Sequence, residues 1–184
     1  MAATRPPKAQ VAWSQLKAKL SDFDRAGLIA LLQDLYAASK ENQAFPHSRF
    51  CLGGDPLEPY KQAIARSLRP DWSKPASVAA AKKAISGYRK ANGRAEDMAE
   101  LMIFFCEQAA GFIRDAGLQD EGYFDALVRM YGRALAALAA LQDPTRAEKV
   151  ERLRRVLELC RDIGYGVYDE MTMLLEESSF GRQQ

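Results

Sequence analysis

Apolar side chains recur at the spacing of an α-helix through most of this chain. The segment from Ala95 to Ala116 shows the pattern most fully, because its large apolar residues return every three or four positions. Shorter stripes occur at Trp13, Leu16 and Leu20 and from Leu28 to Tyr36. No segment alternates apolar and polar residues with the β-branched side chains typical of strands. The sequence therefore predicts an all-α fold.

Residues that begin and end helices divide this pattern into about seven to eight helices. The breaks fall at Pro46, Gly53-Gly54, Pro70, Asn92-Gly93 and Gly117, and Thr145 with Glu148 has the spacing of a capping box. The predicted helices cover residues 11–20, 25–45, 56–69, 76–91, 95–116, 123–141, 145–163 and 167–176. Because the connecting loops are short, neighbouring helices should pack antiparallel. We expect an antiparallel helical bundle or a short α-solenoid, with a single domain over residues 11–177 between flexible tails at 1–10 and 178–184.

The 184 residues carry a formal net charge of +2, which is unevenly distributed. Residues 1–94 contain 16 basic and 7 acidic residues, a balance of +9, and residues 95–184 contain 10 basic and 17 acidic residues, a balance of −7. Two explanations are open. Either the two halves complement one another within the fold, or the basic half meets an acidic partner.

Nothing in the sequence points to a membrane or to an oxidising compartment. Residues 1–10 lack the apolar core of a signal peptide, and no apolar run approaches the ~18 residues of a membrane span. The three cysteines, Cys51, Cys106 and Cys160, are far apart and form no metal-binding pair. We therefore expect a cytoplasmic protein that makes no membrane contact and has free thiols.

The chain has few of the residues that enzymes and metal sites use. Its single histidine, His47, lies in a predicted loop outside any catalytic or zinc-binding pattern. There is no phosphate-binding loop, dinucleotide-binding fingerprint or nucleophile elbow. We expect no catalytic residues, metal ligands or cofactors, and hence no enzyme. The remaining enzymatic possibility is a carboxylate site, which would require Glu107, Asp162 and Asp169 to converge in one pocket.

One predicted helix carries a group of basic residues. They are Lys82, Lys83, Arg89, Lys90 and, just after the helix, Arg94. The group has no acidic neighbours, so of the two basic groups it is the better candidate for contacting phosphate. The simpler interpretation is a solvated helix face. A second basic group around Arg152 alternates with glutamates, which predicts a solvated face joined by ion pairs.

The segment Gly164-Tyr165-Gly166 is the most unusual local feature. Each glycine inside a helix costs about 1 kcal/mol relative to alanine, so a compensating feature is expected. One explanation is close helix packing, with Tyr165 inserted against a neighbour. The other is a hinge or ligand contact near Asp162 and Asp169.

Five segments share the order and character of one protein family. They are LIALLQDLY (28–36), AKKAISGYRKAN (81–92), LMIFFCEQAAGFIRDAG (101–117), YFDALVRMYGRAL (123–135) and RDIGYGVYDEM (161–171). Together they resemble domain-of-unknown-function family 6155, an uncharacterised, mostly bacterial helical family. The similarity runs from about Leu16 to Leu175. The resemblance implies a single all-α domain and carries over no catalytic residues.

These observations favour a non-enzymatic interaction or scaffold module. Helical layers commonly offer an apolar groove or face to a protein partner or to a second copy of the same chain. The alternative is a nucleic-acid-associated protein that uses the basic helix face from Lys82 to Arg94.

Overall fold

The structure, a computed structural model, describes residues 13–71, 74–142 and 144–181. Every regular element in these residues is an α-helix, which confirms the predicted all-α class. The helices are α1 (Trp13–Leu20), α2 (Arg25–Ala38), α3 (Lys40–Phe50), α4 (Glu58–Leu68), α5 (Val78–Ala91), α6 (Ala95–Ala116), α7 (Glu121–Ala139), α8 (Arg146–Leu159) and α9 (Val167–Glu177). None of them combines the length and apolar character that crossing a membrane requires.

The most regular apolar patterns predicted helix boundaries best. α6 covers the predicted residues, and Gly117 ends it with a left-handed backbone at φ 60° while its N–H donates to the Ile113 carbonyl. α7 begins at Glu121, two residues before the prediction. It starts there because the Asp120 carboxylate caps it, accepting the Tyr123 N–H at 2.9 Å.

The region around Pro46 differs from the prediction. α2 ends well before this proline, and a separate helix, α3, passes through it. α3 begins because the Ser39 Oγ accepts the Asn42 N–H at 3.1 Å. Pro46 has no N–H to donate, which weakens the helix. A tertiary contact offsets this loss, because the buried Ser48 donates its hydroxyl to the Pro56 carbonyl at 3.1 Å. The described residues therefore contain nine helices, where the sequence predicts seven to eight.

Two other helix starts use caps that differ from those predicted. α4 begins at Glu58 rather than at the preceding proline, because the Asp55 carboxylate holds a turn before the helix by accepting the Leu57 N–H at 2.9 Å. α8 begins close to the predicted position, but the predicted capping box is not formed. The Thr145 hydroxyl accepts from Lys149 Nζ at 2.8 Å and makes no capping bond to a backbone N–H.

Contacts divide the described residues into two compact units, one ending at Gln43 and the other beginning at Ala44. The first unit contains α1, α2 and the start of α3. The Asp24 carboxylate begins α2 by accepting the Gly27 N–H at 2.7 Å. The domain boundaries predicted from the sequence stay predictions. The first predicted tail, 1–10, and the end of the second, 182–184, lie outside the described residues.

The buried core of the described residues lies in the second unit and is centred on α6. This helix packs against α4, α5, α7 and α8, and 11 of its 22 residues are buried. α7 also packs against α8 and α9. The largest fully buried side chains are Tyr88, Tyr131, Phe105, Phe124, Ile64, Leu68, Leu101, Ile103, Leu127, Met130, Leu135 and Leu138. Burial of this continuous apolar cluster stabilises the packing of α4 to α9.

Candidate interaction surface

Eight large apolar side chains are exposed on α1, on α2 and in the loop between them. Their exposed fractions run from 37% for Leu28 to 67% for Trp13. We call this set the N-terminal apolar surface; its members are Trp13, Leu16, Phe23, Leu28, Ile29, Leu32, Leu35 and Tyr36. In the described structure no residue of α1 or α2 is buried. These two helices therefore expose their apolar faces without forming a core.

α2 has an unusual composition for an exposed helix, because it carries almost no charge. Arg25 and Asp34 are its only charged residues. Its large apolar side chains also cover a broad arc, since Ile29 lies about 100° around the helix from Leu28. A helix with so wide an apolar face is normally buried, and a helix of this length is marginal by itself in water. The composition of α2 is therefore typical of a helix that packs beneath another element.

The charges of this segment balance. Residues 13–38 contain three basic residues, Lys17, Lys19 and Arg25, and three acidic residues, Asp22, Asp24 and Asp34, so their formal net charge is zero. Two copies of this segment would therefore meet without net electrostatic repulsion.

The sequence placed these residues on helix faces but did not identify them as a site. The apolar stripes of α1 and α2 have the same spacing as those of the buried helices. Periodicity shows that a helix has an apolar face, and it does not show whether another element covers that face. The exposed fractions of these side chains show that the apolar faces of α1 and α2 are not buried in the described structure.

The predicted basic residues all lie on or just after α5, and the structure separates their environments. Lys83, Arg89 and Lys90 are exposed and Lys82 is half-buried. Arg94 forms ion pairs with Glu96 at 3.0 Å and with Asp97 at 3.8 Å. The expectation that this group lacks acidic neighbours is therefore wrong for Arg94, because α6 begins with two acidic residues directly after it.

A small hollow joins part of this basic group to α7. Lys82, Ser86 and Arg89 line it from α5, and Arg133 lines it from α7. The hollow has a volume of about 60 Å³, and its apolar lining consists of Ile85, Met98 and Met130. Sequence reasoning missed Arg133, because it lies more than 40 residues away on a helix that the basic pattern does not include.

Arg152 forms a partly buried ion-pair cluster instead of the solvated face that the sequence predicts. Its Nε and Nη2 donate to the two Glu107 oxygens at 2.7 and 2.9 Å. Its Nη1 donates to Glu100 at 2.6 Å, and Lys61 reaches the same carboxylate at 2.9 Å. We call these four residues the Arg152 cluster. It joins α4, α6 and α8.

The hydrogen bonds of the Arg152 cluster favour the charged forms of Glu100 and Arg152. Burial raises the pKa of Glu100, but the hydrogen bonds from Arg152 and Lys61 outweigh this effect and leave the pKa below its ordinary value. The hydrogen bond to Glu107, followed by the one to Glu100, raises the pKa of Arg152. Both carboxylates of the cluster accept from cations of the cluster, which ties α4, α6 and α8 together.

The three acidic residues of a possible carboxylate site do not share one environment. Both oxygens of Glu107 accept from Arg152. Asp162 and Asp169 are exposed. Among the described residues there is no group of three or more His, Cys, Asp or Glu side chains arranged to hold a metal ion. This arrangement gives no support to a carboxylate-based active site.

Gly164-Tyr165-Gly166 lies in the turn that connects α8 to α9. A Cβ added at either glycine would meet nothing within 4 Å, so the expected close helix packing is wrong as the reason for these glycines. Gly166 is needed for its left-handed backbone at φ 71°, immediately before α9. Tyr165 is also left-handed at φ 60°, and its ring lies 5.4 Å from that of Phe124 although 66% of the residue is exposed. Asp162 and Asp169 flank this turn on the surface.

The chain matches no protein-family model, and no curated protein or solved structure is significantly similar to it.

Proposed function

We propose that this protein is a non-enzymatic interaction module that associates with a second copy of itself through the N-terminal apolar surface. The observation that carries the proposal is the exposure of eight large apolar side chains on two helices that bury no residue in the described structure. Apolar surface of this extent, when exposed and contiguous, marks an interaction site.

The size of the surface supports a dimer. A fully buried aromatic side chain removes about 150–250 Å² from water. Only Trp13, Phe23 and Tyr36 of the eight are aromatic, so eight side chains that are about half exposed present at most about 800 Å². A stable interface of standard size buries about 800 Å² on each partner.

The charge balance favours a second copy over a charged partner. In a twofold dimer the same patch meets itself, so the patch has to complement itself. The net charge of residues 13–38 is zero, with three charges of each sign. Two copies can then bring their apolar residues together without net repulsion.

The other expectations from the sequence accompany this proposal as predictions. They are a cytoplasmic location, the absence of catalytic residues and cofactors, and membership of domain-of-unknown-function family 6155. Nucleic-acid binding by the basic face of α5 remains the alternative function. That alternative is weakened because Arg94 already pairs with Glu96 and Asp97.

The substitution Leu32→Lys tests the proposal. Leu32 is 63% exposed at the centre of α2, so the change should leave the monomer folded. A lysine buried in the interface should raise the dimer dissociation constant by at least about 30-fold, which corresponds to about 2 kcal/mol or more. Analytical ultracentrifugation over a range of protein concentrations measures this constant.

Met173→Lys is the matched control. Met173 is also an exposed apolar residue, 58% accessible, but it lies on α9 outside the N-terminal apolar surface. It should leave the dimer dissociation constant unchanged. A strictly monomeric wild-type protein at high concentration would end the proposal, and so would equal weakening of the dimer by the two substitutions.

A further inference from the structure

We propose that the hollow lined by Lys82, Ser86, Arg89 and Arg133 binds a single phosphate group carried by a small molecule. This site lies in the second unit and is independent of the N-terminal apolar surface. It brings together residues of α5 and α7 around one small volume.

The three cations of the hollow have no acidic partner among the described residues. Two nearby arginines do have acidic partners. Arg129 of α7 pairs with Asp125 at 2.9 Å, and Arg94, just after α5, pairs with Glu96 at 3.0 Å. Like charges held close together repel one another unless an anion lies between them. A bound phosphate would supply the missing negative charge.

Ser86 offers a hydroxyl that the helix does not use. Ser67 and Thr172 also lie in helices, and their hydroxyls donate to the carbonyl four residues earlier, at 2.7 and 2.8 Å. In the described part of the chain the Ser86 hydroxyl makes no such bond. Ser86 lines the hollow together with Lys82 and Arg89, which lie about one turn away on either side along the same face of α5. The hydroxyl can therefore donate to an oxygen of the ligand.

The size and lining of the hollow fit one compact anion. A water molecule needs ~10–15 Å³ of such space, so a hollow of about 60 Å³ has room for a few waters or for one tetrahedral phosphate group. Ile85, Met98 and Met130 also line the hollow, and apolar neighbours strengthen the attraction between cations and an anion relative to bulk water.

A single phosphate fits this arrangement better than a polynucleotide does. A protein that tracks a nucleic-acid backbone typically makes about 6–10 phosphate contacts along an extended surface. Here three cations line one small hollow. The forked guanidinium groups of Arg89 and Arg133 are also suited to bidentate contact with phosphate oxygens.

The test is a titration of the whole 184-residue chain with inorganic phosphate and with glycerol phosphate, monitored by NMR at constant ionic strength. The wild type should show saturable shifts. Arg89→Gln and Arg133→Gln should each weaken binding by about tenfold or more, because each removes a charge-assisted hydrogen bond. Ser86→Ala should weaken it less. Both arginines are exposed, so their variants should fold normally.

Lys83→Gln is the matched control. Lys83 is an exposed cation of the same helix that does not line the hollow, and the substitution should leave phosphate binding unchanged. Leu32→Lys should also bind phosphate as the wild type does, which keeps this test separate from that of self-association. The proposal is overturned if the wild type binds neither phosphate probe. It is equally overturned if only a single-stranded oligonucleotide binds and Lys83→Gln weakens that binding as much as Arg133→Gln.

Discussion

Arg152 joins three helices through one guanidinium group. It contacts Glu107 and Glu100 on α6, and Lys61 of α4 adds a second positive charge beside Glu100. The four side chains are only 17–30% exposed. Water therefore screens these charges less than it screens surface ion pairs. Removing the guanidinium would take away the hydrogen bonds that both oxygens of Glu107 accept and would leave Glu100 with Lys61.

Arg152→Met should destabilise the protein at neutral pH. Methionine keeps much of the side-chain volume but leaves Glu100 and Glu107 without their shared partner. We expect a loss of about 2–3 kcal/mol in the free energy of unfolding, somewhat less than the about 3–5 kcal/mol of a fully buried pair. Urea unfolding followed by circular dichroism measures the change.

The pH dependence of this loss follows from the pKa of Glu100. The folded-state pKa is lowered, so the stabilisation is present above the unfolded-state pKa and is lost as the pH falls through the folded-state value. The difference in the free energy of unfolding between the wild type and Arg152→Met should therefore become smaller below about pH 4. Arg155→Met is the control, because Arg155 forms an exposed pair with Glu151 and should change stability by less than about 0.5 kcal/mol. If the stability difference between the wild type and Arg152→Met becomes larger in acid, the lowered pKa of Glu100 does not explain the stabilisation.

The partners of Arg152 could not be predicted from the sequence. Glu107 and Glu100 lie 45 and 52 residues away from it. The sequence shows instead the local glutamates Glu148 and Glu151, which fit a solvated helix face. Arg133 escaped prediction for the same reason. Pairings between side chains on different helices depend on how the helices pack, and local spacing does not contain that information.

At the scale of an element, the turn between α8 and α9 depends on one of its two glycines. Gly166→Ala should destabilise the protein by about 1 kcal/mol, because an L side chain is strained in the left-handed region. The added methyl group meets no neighbour, so the cost comes from the backbone alone. Thermal or chemical unfolding of the variant measures it.

Gly164→Ala serves as the comparison within the same turn. A methyl group added at Gly164 would have open space around it, and this residue is not among the glycines with positive φ. The change should be neutral or stabilise the protein by up to about 1 kcal/mol, because alanine reduces the freedom of the unfolded chain. If Gly164→Ala and Gly166→Ala destabilise the protein equally, the left-handed backbone at position 166 is not the reason for its glycine.

The helices themselves were largely predictable because their determinants are local. α6 is bounded as predicted, since its apolar stripe and Gly117 lie within a few residues of the ends that they define. α3 was not predicted, because Pro46 normally ends a helix. The contacts that allow it, from Ser48 to Pro56 and from Arg49 to the Ala91 carbonyl, join segments that are separate in the sequence.

At the scale of the whole molecule, the unequal roles of the apolar stripes could not be predicted. The stripes of α6 and α7 enter a core, and those of α1 and α2 stay exposed in the described structure. All of them have the same helical period. Which stripes are buried depends on the number of helices that can surround a common centre, and α6 already has four helical neighbours.

Residues 39–184 should fold without the first 38 residues. The second unit contains the buried core of the described structure, whereas α1 and α2 bury no residue there. Starting at Ser39 keeps the side chain that begins α3. Compared with the full chain at a concentration low enough for it to be monomeric, the shortened chain should lose at most about 1 kcal/mol, or about 2–4 °C in Tm. Its Tm should not vary with protein concentration. The full chain, as a dimer, should show a Tm that rises with concentration. Unfolding of the shortened chain at room temperature would mean that α1 and α2 support the core, and their apolar residues would then serve stability and not association.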